Sequence, residues 1–77
     1  MFQPVKVGTG QDSDGRLAFE GDCLVGVLVR LSALHGAEAG RWFLEAGFGA
    51  LAGPPPAPFS DLEAAQAWME GRLGPNA

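Results

Sequence analysis

Seventy-seven residues, with nine acidic side chains against five basic ones and a single cysteine, leave room for one small core and no internal disulfide. The hydrophobic fraction of 47% is too high for a disordered chain. A net charge of −4 weighs against nucleic acid as a partner, because phosphates call for a surplus of Lys and Arg. The longest apolar run, residues 23–29, is strand-sized and far below the ~18 residues of a membrane span. No signal-peptide h-region opens the chain, so the expected location is cytoplasmic. Abundant Ala and Gly with no Tyr suit a GC-rich bacterial gene.

In chain order, Phe2, Val5 and Val7 read as an entry strand, which Pro4 confines to a sheet edge or to a place outside the sheet. Residues 8–15 are polar and glycine-rich and read as a turn region. Residues 16–20 alternate as a half-buried strand does, with Leu17 and Phe19 sharing a face. Gly21-Asp22 suits a tight hairpin of type II′. Residues 24–32 then supply the returning strand. Strict alternation sets Val25, Val27, Val29 and Leu31 on one face, against Leu24, Gly26, Leu28 and Arg30 on the other. The first set is wholly apolar and is expected to face the core.

A connection through His35-Gly36 leads to a third strand over residues 41–48. Here Trp42, Leu44, Ala46 and Phe48 oppose Arg41, Phe43, Glu45 and Gly47. A helical reading of residues 37–46 competes, since Ala, Glu and Leu are good helix formers; the aromatic run between Gly40 and Gly47 favours the strand. Residues 53–58, Gly-Pro-Pro-Pro-Ala-Pro, form a stiff extended crossing. Ser60 and Glu63 then have the spacing of a capping box at the start of a helix over residues 61–73, which Gly74-Pro75 ends. Leu62, Ala65, Met69 and Leu73 make one stripe at helical spacing, with Trp68 on its flank, and are expected to pack on the valine face. The predicted architecture is a single α+β domain over residues 1–77. It has an antiparallel sheet of three strands, four if the N-terminal segment pairs, and one C-terminal helix across one face.

Candidates for chemistry are weak. Asp12-Ser13-Asp14-Gly15 has its glycine in the wrong register for a calcium loop, and ordinary turn formation explains it. His35 and Glu38 could pass a proton, but no nucleophile accompanies them. Ser60 reads as a helix cap. Cys23 sits between Asp22 and Leu24, neither of which favours a thiolate. No phosphate-binding or dinucleotide fingerprint follows a strand. No catalytic, cofactor-binding or metal-ligating residue is therefore assigned, no cofactor is expected, and an enzyme is the less favoured class.

One helix covers one side of such a sheet. The other side is expected to expose Leu24, Leu28 and Phe43 beside Arg30 and Glu45, the last two able to pair across strands. The competing arrangement folds the N-terminal segment or residues 50–59 over that side. These five residues are the candidate interface of a non-enzymatic interaction module, a homodimer formed through the helix-free face or an edge strand. Two alternatives stand beside it. One is a small-ligand or enzymatic domain with a pocket near Trp42, Trp68 and His35; the other is an accessory subunit of a larger protein complex. Nucleic acid and membrane are not expected as partners.

Overall fold

The hairpin at Gly21-Asp22 organises the sheet. In the computed structural model, which describes residues 1–8 and 13–74, the strands are Phe2–Lys6 (β1), Asp14–Glu20 (β2), Cys23–Arg30 (β3) and Trp42–Gly47 (β4). They form an open antiparallel sheet in the order β1-β2-β3-β4, and a helix, Leu62–Leu73 (α1), lies across one face. The class is α+β. A two-residue turn joins β2 to β3 with Gly21 at φ +60° and no positive φ at Asp22, as a II′ turn requires. The N-terminal segment is the fourth strand, and Pro4 is tolerated there because β1 is an edge. Asp14 and Gly15, expected in the turn, belong to β2, where Gly15 pairs with both Val5 and Val29. Residues 9–12, including Asp12 of the candidate calcium loop, lie outside the described residues.

The largest departure from expectation is which face of β3 is inside. Strict alternation would place Val25 and Leu28 on opposite faces, yet both belong to the cluster under the helix, with Ala18, Trp42, Leu44, Leu51, Ala65 and Met69. Two register shifts account for this. Phe19 pairs with Leu24 and Ala18 with Gly26, so Val25 is an extra residue in β3. On the other side Val27 pairs with Ala46 and Leu28 with Leu44, so Glu45 is an extra residue in β4. The first bulge rotates the strand beyond it. Leu28 comes to rest beneath α1 with no exposed surface, and Val29 and Leu31 are buried outside the helix-side cluster. Val27, Val29 and Leu31 thus lie on the helix-free face, the reverse of the expected assignment, while Val25 keeps its expected place under the helix.

The helix begins one residue later than the capping-box spacing suggests. Asp61 has extended backbone, and its Oδ1 accepts from the Ala64 amide at 2.8 Å, making it the N-cap in place of Ser60. Both residue types cap well, and an aspartate also favours the positive end of the helix. Asp61→Ala should therefore cost about 1 kcal/mol in urea unfolding, while Ser60→Ala should leave the midpoint nearly unmoved. Equal losses would return the cap to Ser60.

Residues after β4 stay on the helix side. Gly49–Leu51 forms a 3-10 turn whose Leu51 is 2% exposed within the core. Beyond the proline-rich stretch, Phe59 pairs with Trp42: each amide donates to the other's carbonyl, at 2.7 and 2.9 Å. The Phe59 ring lies 5.6 Å from that of Trp68. No helix among the described residues is long and apolar enough to cross a membrane.

Candidate functional site

Cross-strand register assembles the helix-free face into rows that run through all four strands. Val5, Gly15, Val29 and Phe43 form one row; Gln3, Leu17, Val27 and Ala46 form the next. Neither row carries a charged side chain. Beyond the β3 bulge, Phe19 stands opposite Leu24. The intervening rows, Phe2–Ala18–Gly26–Gly47 and Pro4–Arg16–Leu28–Leu44, belong to the helix side. The absence of a side chain at Gly15 lets Val5 and Val7 lie over β2 beside Val29: a Cβ there would come within 2.5 Å of a Val7 methyl. Val5, Leu17, Val27 and Phe43 remain half-buried, open to solvent on this side. The two segments considered as covers go elsewhere. The N-terminal one pairs as β1, and Leu51 and Phe59 pack with the helix-side core.

Of the five candidate interface residues, the pairing register brings two to this face, while Glu45 stands unpaired at its β4 bulge beside Ala46. Phe43 is half-buried in its centre row, and Leu24 is 38% exposed at its end. Leu28 is excluded, since the bulge turns it under α1. Arg30 stands opposite Trp42 on the helix side, at the exposed end of β3. Glu45 is the exposed extra residue of β4, three positions from the partner of Arg30, so the expected cross-strand ion pair does not form. Val5, Leu17, Val27 and Val29 were missed. The signal that could have found them was Gly26: an isolated glycine inside an apolar strand marks a bulge or a close backbone approach.

The alternative pocket residues have three different surroundings. Trp42 is buried in the core, with the Arg16 guanidinium 4.9 Å from its ring centroid. Trp68 packs on Phe59 and carries Arg72 over its face at 5.2 Å. His35 lies exposed in the 3-10 segment Ala33–Glu38, where Ser32 Oγ accepts from the Leu34 amide. The Glu38 carboxylate is directed to Arg41 Nε at 4.0 Å. Cys23 is exposed at the start of β3. No group of three or more His, Cys, Asp or Glu that could hold a metal occurs among the described residues. Compared with known proteins, the chain matches no family model, no curated sequence and no solved structure.

Proposed function

We infer that the protein is a non-enzymatic association module that pairs with a second copy of itself through the helix-free face. The observation that carries this reading is the pair of uncharged rows spanning four strands on the side opposite α1. Each residue occupies roughly 32 Å² of one sheet face, about 4.8 Å between strands by about 6.7 Å along them. A dozen positions give roughly 400 Å² of flat footprint. Doubled in a symmetric pair, this is roughly 800 Å², the size of a weak, reversible interface. Two sheets stacked face to face are also a common way for half-dry layers to complete a core.

Charge is no bar at the paired positions: a net charge of −4 on each copy would repel, but none of the residues paired in the two rows is charged. The edges favour the face over strand addition. β1 carries Pro4, which lacks an amide to donate, and Trp42 on β4 already spends its outward amide and carbonyl on Phe59. The Glu45 bulge interrupts the remainder of that edge.

Sedimentation equilibrium over rising concentration should give a mass moving toward twice that of one chain. Phe43→Lys and Leu17→Lys should hold it at the single-chain mass, with circular dichroism unchanged. Leu34→Lys, at a position 73% exposed on the 3-10 segment, should still associate. A wild-type chain that stays folded and monomeric at every concentration overturns self-association and turns the reading toward a different protein as partner.

A further inference from the structure

We propose that Arg41 and Glu45, placed on either side of Phe43 along the outer strand, set the orientation of the second copy. Each meets its opposite charge across a two-fold axis that passes through Phe43. This rests on the face-to-face pairing inferred above and names how the two copies are set against each other.

The placement of the two charges follows from the register. The Leu31 amide donates to the Arg41 carbonyl at 2.8 Å, so the Val29–Phe43 pairing continues by one more row. Two residues before Phe43, Arg41 shares its side of the sheet. At the other end, Leu44 belongs to the helix-side cluster, and a Cβ at Gly47 would run into Leu51 of that cluster. The two residues between them, Glu45 and Ala46, therefore both turn to the helix-free side, as a bulge allows. Lys6, Asp14, Arg16 and Arg30 stand in the alternate, helix-side rows. Neither charge on β4 is spent within the chain. Glu45 is exposed, with no hydrogen bond or ion pair among the described residues. Arg41 Nε is 4.0 Å from Glu38 Oε2, beyond hydrogen-bond reach, and the arginine side chain is 48% exposed.

A two-fold interface is self-complementary: where residue i meets j, j meets i. An axis running across the strands at Phe43 lays β4 antiparallel over its own copy. Phe43 then meets Phe43, and Arg41 of each copy meets Glu45 of the other. Stacked sheets lie about 10 Å apart, a gap that an arginine and a glutamate reaching toward each other close. An axis along the strands would instead set β4 over β1, and both charges would face the uncharged Gln3 and Val5 edge. The charges therefore select the first arrangement, acting on register more than on affinity.

Sedimentation equilibrium of Glu45→Lys, Arg41→Glu and their equimolar mixture tests this beside the wild-type chain. Each variant alone sets like charges together at two places and should associate about tenfold more weakly. The mixture restores both opposite pairs and should associate as the wild type does, with one copy of each variant in the pair. High salt should shrink these differences. If Arg41→Glu does not fold beside Glu38, Glu45→Lys should still weaken association more than Glu45→Gln. A wild type that pairs while the variants pair equally well, or a mixture no tighter than its components, overturns the charge-set orientation and leaves the face reading standing. A wild-type chain that stays monomeric at every concentration overturns both.

Discussion

Leu28→Ala should cost about 3–5 kcal/mol, the range for truncating a fully enclosed leucine whose surroundings cannot collapse. Leu28 has no exposed surface, and its neighbours in the row and above it, Leu44, Ala65 and Met69, belong to the same cluster. A chain of this length has roughly 4–12 kcal/mol of total stability at 0.05–0.15 kcal/mol per residue, so the variant should be close to unfolding at room temperature. Val27→Ala, one residue away on the half-buried face, should cost clearly less in dilute solution. Urea midpoints for the two variants, measured below the concentration of any association, check the order. A larger loss at Val27 than at Leu28 would show that α1 covers the valine face after all.

Gly47→Ala should be nearly as severe, at about 2–4 kcal/mol, although it adds a single methyl group. A Cβ at Gly47 would run into the Leu51 carbonyl oxygen and stand 2.8 Å from its carbonyl carbon. These are backbone atoms and cannot swing aside, so the 3-10 turn must shift and lift the buried Leu51 out of the core. Gly71→Ala provides the opposite sign. Gly71 lies inside α1 with nothing within 4 Å of an added Cβ, and alanine there should stabilise by about 0.5–1 kcal/mol through helix propensity. Thermal unfolding of both variants beside the wild type checks the pair. A Gly47→Ala chain as stable as the wild type would mean that the turn after β4 is not seated on the strand.

The elements that could be read from the chain alone are those set by local rules. The hairpin followed from Gly21-Asp22 between two apolar runs, and the helix from its spaced stripe of Leu62, Ala65, Met69 and Leu73. Both are present, with Ala65 and Met69 buried. The cap moved by one residue because Ser60 and Asp61 are adjacent and both able, and only the backbone decides between them. Facing was harder, because a bulge reverses every side chain beyond it and leaves composition untouched. The set Leu24, Gly26, Leu28 and Arg30 looked half wet. In the fold Arg30 sits at the exposed end of β3, and Gly26 gives up its side-chain space to Leu44 and Leu51. The expectation that one sheet side would be apolar and free of the helix survives with different residues. Phe43 and Leu24 were legible, whereas Val5 and Leu17 joined the face only through pairings between strands that no local pattern encodes.

The backbone tie between Phe59 and Trp42 has a bearing on how far assembly can go. Fibrils elongate by stacking strand after strand onto an open rim, each newcomer presenting a fresh rim to the next. Here one rim is partly occupied by the chain's own return and the opposite rim is interrupted by an imino acid, so the template for endless elongation is broken at both ends. Contact through the flat of the layer, by contrast, uses up the sticky surface of both copies at once. The fold therefore favours assemblies that stop at a closed pair over ones that keep growing.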